Sequence, residues 1–242
     1  MKYGEEAIPM TYFLKPSQGG SFLTLKPYSE DIELHYRFNC QTCDTAFTKY
    51  EQTIRVDKTA TLEVQPHRNN KLYGELIKIP FGYHSAVNAN VEYDTEYSEW
   101  YTAGGKEGLV DSKLGALDFR DGAWQGFWGQ DVEVLIDLGR LVYADEISAN
   151  FYQYNNSWIF LPTEVQYSIS HDGSYFDNLP SVTSTTVQPK DRGKHIETFR
   201  QGFERQQIRY VRVKAKNIGK VPDWHEAAGS DAWVFIDEII VK

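Results

Sequence analysis

Cysteine is nearly absent: two in 242 residues. Cys40 and Cys43 make a single Cys-x-x-Cys. A zinc site of that spacing needs a second Cys or His pair, and only His35 stands nearby. A thioredoxin-like role needs a strand that feeds a helix, whereas residues 34–38 read as a strand running into a polar turn. The pair is read as an incidental loop feature, free or joined as a local disulfide. Basic blocks are missing as well. With a net charge of −9 and scattered Lys and Arg, the chain lacks the basic face that a nucleic acid would require. No apolar run approaches the roughly 20 residues of a membrane helix, and residues 1–20 lack the apolar stretch of a signal peptide. Sustained helical periodicity is missing too, so a barrel of alternating strands and helices has no material here.

What is present is pleated. Val132, Val134, Ile136 and Leu138 alternate with polar neighbours, as do Val165, Tyr167 and Ile169, the period of two of a strand with one buried face. Asp172-Gly173 after the second run supplies the positive backbone angles of a tight turn, so this strand is read into a hairpin. Residues 235–241 are apolar on both faces, as in a strand enclosed between layers. Aromatics reach 14% of the chain, which suits both sheet faces and sugar-binding surfaces. The fold class is all-β.

Two units are expected. Short strand-like runs at residues 22–25, 33–38, 53–56, 61–64 and 72–79, separated by polar turns, predict a small β-sandwich over residues 1–82. After Pro80 the character changes, through Phe81-Gly-Tyr-His-Ser-Ala86 and a tyrosine-rich stretch to Tyr101, into a second unit over residues 83–242. His84 falls at the seam and is read as a hydrogen-bonding group between the units.

Several phrases occur in a telling order. They are Tyr101-Thr-Ala-Gly-Gly-Lys-Glu-Gly-Leu-Val-Asp111, Asp121-Gly-Ala-Trp-Gln-Gly-Phe-Trp-Gly129, Val134-Leu-Ile-Asp-Leu-Gly139, Ser157-Trp-Ile-Phe-Leu-Pro162, Tyr167-Ser-Ile-Ser-His-Asp-Gly-Ser174, Arg209-Tyr-Val-Arg-Val213 and Trp233-Val-Phe-Ile-Asp-Glu-Ile-Ile240. This order resembles a discoidin-like module, the coagulation factor V/VIII type C domain, in the version attached to bacterial β-hexosaminidases. The first third is similar in outline to the small immunoglobulin-like domain that follows the catalytic barrel of chitobiases, although Asn39-Cys-Gln-Thr-Cys-Asp44 replaces that family's usual turn. The resemblance implies a galactose-binding-like β-jelly-roll after an immunoglobulin-like sandwich. It also implies a non-catalytic accessory region that is exported, to the periplasm or the cell exterior, with its parent enzyme. Its partners would be galactose- or N-acetylhexosamine-containing glycans and a catalytic hexosaminidase domain. A purely structural appendage is the second reading. A hydrolase in its own right is the third, although Asp137 and the Asp237-Glu238 pair make no facing carboxylates across a cleft.

The resemblance further implies one structural Ca²⁺, closed by Asp111 and Glu238 with carbonyl oxygens of Leu114 and Ala116. The alternative is that Asp111 caps a turn and Glu238 pairs with a basic neighbour. For a sugar, flat apolar faces beside polar groups are needed. The loops that offer them carry Trp124 and Trp128, Tyr154 and Asn155, and Trp224 and His225. Trp124, Trp128 and Trp224 sit among Gly, Asp and Pro and are expected to be exposed, either on ligand or packed under a loop. Trp158 begins a strand and Trp233 lies in one, so both are assigned to the core.

Overall fold

The computed structural model describes residues 9–17, 20–39 and 46–242, so Cys40 and Cys43 lie outside the described residues. The fold is all-β, and among the described residues the one helical piece is a 3₁₀ turn, Asn155–Ser157. Among the described residues no helix is long and apolar enough to cross a membrane. The chain divides into two compact units between Tyr83 and His84.

The described residues of the first unit form eight strands: β1 (Met10–Ser17), β2 (Gly20–Pro27), β3 (Ile32–Asn39), β4 (Thr48–Lys49), β5 (Ile54–Val56), β6 (Ala60–Arg68), β7 (Lys71–Leu72) and β8 (Ile77–Phe81). A three-stranded sheet, β1-β2-β5, and a five-stranded sheet built round β3 and β6 share one core that includes Leu23, Leu25, Leu34, Val56, Leu62, Val64 and Phe81. Alternation places these residues on the inner faces. The single strand expected over residues 72–79 is two strands, because Gly74 turns the backbone at φ +74°. Buried Glu63, at the centre of β6, is held by Arg37 from the neighbouring β3 (Nε–Oε2 2.7 Å) and by Asn39 (3.2 Å). Those bonds, led by the guanidinium, hold its carboxyl below the usual range against the opposing effect of burial.

The second unit has seven: β9 (Asn90–Tyr93), β10 (Gln125–Trp128), β11 (Val132–Gln153), β12 (Val165–Ser170), β13 (Asp177–Asn178), β14 (His195–Ala215) and β15 (Trp233–Val241). Two of them are far longer than the usual five or six residues. The first half of β11 pairs with β9 and with the end of β14, while its second half pairs with β15 and with the start of β14. One continuous ribbon thus serves two layers, and the layers enclose Val134, Ile136, Phe151, Tyr167, Val211, Val213, Ile236 and Ile239. The fold from one layer to the other falls at Gly139 (φ +72°), where the β11–β14 register breaks after Asp137. A bidentate pair clamps this bend, Asp137 accepting from Arg209 Nε and Nη2 at 2.7 and 2.8 Å. The predicted hairpin is present, with β12 and β13 joined across Asp172-Gly173.

Candidate tryptophan cleft

On the second unit an open cleft of about 780 Å³ is lined by Glu96, Tyr97, Ser98, Glu99, Trp100, Trp128, Gln130, Trp158 and Trp233. That volume lies within the range of about 300–1,000 Å³ usual for small-ligand sites. Trp128 ends β10 and Trp233 begins β15, and the two are register partners with ring centroids 4.6 Å apart. Trp158 joins from the other side, its ring 6.0 Å from Trp128. Trp100 stands almost bare, 82% exposed. An indole so uncovered forfeits most of the burial that usually stabilises it.

Trp158 is held there at a backbone cost. Its φ is +59°, a left-handed conformation that a bulky residue rarely adopts. The conformation is enforced by its N–H donating to the Asn155 carbonyl (2.8 Å) and by Trp233 N–H donating to its own carbonyl (2.9 Å). Strain of this kind persists only where the surroundings over-determine it, and it concentrates at working sites.

The structure distributes the predicted site residues unevenly. Trp128 lies in the cleft. Trp124, expected to be exposed, is only 1% exposed: its indole N–H donates to the Ala116 carbonyl (3.1 Å) and its ring packs 5.2 Å from Tyr152 in a small core with Phe119 and Phe235. Trp158 and Trp233 correct the core assignment in the other direction, since Trp158 is 38% exposed and Trp233 only half-buried. Trp100 was not singled out by sequence. Its signal was an indole in the polar run Glu96-Tyr-Ser-Glu-Trp100, where no alternation provides a buried face.

Tyr154, Asn155, Trp224 and His225 come together elsewhere, as a hub that ties loops. Asn155 is fully buried and its amide donates to the carbonyls of Pro189 (2.7 Å) and Asp191 (2.9 Å). Buried His225 takes an N–H from Ala227 on Nδ1 (3.0 Å), so its Nε2 carries the proton and donates to the Asn155 carbonyl (3.0 Å). Half-buried Trp224 packs edge-on to Phe160 (6.2 Å), and Lys194 lies 5.4 Å from the Tyr154 ring. These contacts explain the loop conformations without a ligand.

The residues considered for calcium are wound round β15. Glu238 is fully buried; its Oε1 accepts from His84 Nε2 (2.7 Å) and from the Ser112 N–H (3.0 Å), and its Oε2 is buried without a partner. His84 accepts the Ala86 N–H on Nδ1 (3.2 Å), which leaves its proton on Nε2. Its partner therefore lies within its own unit, which corrects the reading of His84 as a group between units. Burial, then the nearby Asp111 charge, pushes the Glu238 carboxyl well up, and burial pushes His84 down to about 3. Asp111 accepts the Lys113 N–H (2.9 Å) and pairs with Lys113 Nζ (2.7 Å). Burial raises its pKa, a shift that Lys113 opposes. Neighbouring Asp237 is an internal anchor, accepting from Gly115 N–H (2.9 Å) and Asn150 (3.3 Å). Among the described residues no group of three or more His, Cys, Asp or Glu could hold a metal. The orphaned Glu238 oxygen and Asp111 fit two ligand places, and any others would fall to carbonyls. The Ala116 carbonyl is already used by Trp124.

No protein-family model matches the chain, and no curated protein sequence does. Solved structures similar to it include carbohydrate-binding modules. CBM32 of AlyQ, in complex with 4,5-unsaturated mannuronic acid, is 16% identical over 63% of this chain and 92% of that chain, with a TM-score of 0.39. CpGH89CBM32-4 of Clostridium perfringens, in complex with glcNAc-alpha-1,4-galactose, is 13% identical over 66% and 93%, with a TM-score of 0.43. The lectin domain of lectinolysin, complexed with Lewis B antigen, is 10% identical over 66% and 95%, with a TM-score of 0.42.

Proposed function

We propose that this chain is a carbohydrate-binding accessory region whose ligand lies in the tryptophan cleft. One observation carries the reading: four indoles line an open groove with Gln130, Ser98 and two carboxylates beside them. A pyranose has one face of C–H bonds and a rim of hydroxyls, and this groove offers the matching surfaces. The sequence phrases similar to those of hexosaminidase-linked modules support a parent enzyme of the β-N-acetylhexosaminidase type. In that setting the region would be exported with the enzyme, and would raise its local concentration on galactose- or N-acetylhexosamine-containing glycans. Asp111, Glu238 and the carbonyls of Leu114 and Ala116 would hold a structural Ca²⁺, whose contribution is to neutralise the buried Glu238 carboxylate and the half-buried Asp111. Added Ca²⁺ then raises Tm and EDTA lowers it. A Tm indifferent to both assigns the cation's place to Lys113.

The test of glycan binding is a glycan array followed by calorimetry on the whole chain. Binding is expected, and Trp128→Ala or Trp100→Ala should weaken it by roughly tenfold, the worth of one good aromatic contact. Silence toward every mono- and oligosaccharide would favour a structural appendage that uses the same apolar groove to pack on a catalytic domain.

A further inference from the structure

We infer that the cleft selects glycans bearing a free, protonated amine, of the 2-amino-2-deoxyhexose type, over their N-acetylated and acidic counterparts. The inference rests on the glycan-binding reading alone and departs from the N-acetylhexosamine class that the resemblance to hexosaminidase-linked modules suggests. Among the nine lining residues are two carboxylates, Glu96 and Glu99, and no Lys or Arg. Both glutamates are exposed, and among the described residues neither forms an ion pair with a Lys or Arg. Apart from Ser98 and Gln130, the remaining walls are indole and phenol rings, whose π faces are the negative pole of the aromatic quadrupole. Carboxylates and π faces together attract one kind of charge.

The segment that carries the glutamates is tied down. Gln130 Nε2 donates to the Glu96 carbonyl (2.7 Å), Thr95 Oγ1 donates to the Asp131 carbonyl (2.9 Å), the Ser98 N–H donates to the Gly126 carbonyl (2.8 Å), and the Trp100 N–H donates to Ser98 Oγ (3.2 Å). Gly126 and Trp128 belong to β10, so residues 95–100 are fastened to the strand that supplies an indole of the cleft. Their position at the mouth is thus a built feature. The chain's net charge of −9 adds a field of the same sign. An ammonium on a pyranose would meet carboxylates and ring faces within one groove, the arrangement that recognises organic cations. A uronic, sialic or sulfated sugar would bring its anion against those same groups. An N-acetyl group keeps the stacking and loses the charge.

Calorimetry on the full chain distinguishes these outcomes, with a fully deacetylated glucosamine tetrasaccharide and its fully N-acetylated counterpart as probes. At about pH 5.5 the deacetylated probe should bind roughly tenfold tighter, the order of one partly desolvated cation–π and charge contact. Sugar amines, like α-amino groups, lose their proton near pH 8. The preference should therefore vanish at about pH 9, where the glutamates are still ionised. Glu96→Gln combined with Glu99→Gln should bring the ratio of the two affinities toward one, and Trp128→Ala should weaken both probes. Equal or tighter binding of the N-acetylated probe by the unaltered chain would overturn charge selection and leave glycan binding standing. If neither tetrasaccharide bound while a neutral galactose glycan did, the ligand class would be wrong. If no glycan bound, both readings would fall together.

Discussion

Six tryptophans divide according to the backbone beneath them. Trp124 is enclosed because Gly115 passes under it: a Cβ at residue 115 would lie 2.1 Å from the indole. Trp158 is presented because its own backbone is left-handed. The two should respond oppositely to truncation. Trp124→Ala empties a packed site and should cost about 3–5 kcal/mol, seen as a lower urea midpoint. Trp158→Gly removes a partly exposed ring and relieves a left-handed L-residue worth about 1–2 kcal/mol, against the extra freedom of glycine in the unfolded chain. Its stability should stay within about 1 kcal/mol of the unaltered protein while glycan affinity falls. A large loss of stability in Trp158→Gly would show that the ring is structural. This division was hidden in the sequence, because the Gly and Asp around Trp124 read as an open loop. Only the tertiary approach of residue 115 closes it.

At the scale of the element, what could be read from sequence was what alternates. Val132, Val134 and Ile136 are fully buried, as are Val165 and Tyr167, as their period of two required. β10 escaped because Gln125, Gly126 and Phe127 are buried on both faces, leaving no period to detect, and the early part of β14 because it leaves Ile196 36% exposed. Pinning interactions over long sequence separations were equally invisible. Glu197, near the start of β14, fastens residues 184–187 by accepting from Ser184 Oγ (2.7 Å) and from the N–H groups of Thr185 (2.9 Å), Thr186 (3.3 Å) and Val187 (3.3 Å). Burial alone would raise its pKa, but these donors outweigh it and hold the carboxyl below the usual carboxylate range. A depressed folded pKa gives stability that is present above the unfolded value and disappears as pH falls through the folded one. Glu197→Gln has one accepting oxygen for four donors, and should cost about 1–3 kcal/mol at neutral pH. The gap between variant and unaltered protein should narrow as the pH drops below about 4.5. Urea unfolding at neutral and acid pH checks the sign, and faster amide exchange at residues 185–187 checks the place. A gap that does not change with pH would mean that the effect comes from packing and not from charge.

For the whole molecule, each unit has a core of its own, one centred on Leu23, Leu62 and Val64 and the other on Val134, Phe151 and Ile236. Every lining residue of the tryptophan cleft falls within residues 84–242. A fragment of residues 84–242 should accordingly fold cooperatively and bind glycan with the affinity of the full chain, since neither its core nor its groove draws on the first unit. The cut has to respect chemistry more than sequence character. His84 gives the buried Glu238 a hydrogen bond, and the Ser85 N–H donates to the Val241 carbonyl (2.9 Å), so the first two residues of this unit close its last strand. A fragment of residues 86–242 retains the apolar core, Ala86 included, but strands a buried carboxyl beside Asp111. It should lose about 1–3 kcal/mol for the unsatisfied group, and more if that group must carry its charge. Thermal melts of the two fragments decide the matter. If they melt together, His84 does not support the last strand. If only the shorter one is destabilised, the two residues at the start of the unit act as its clasp.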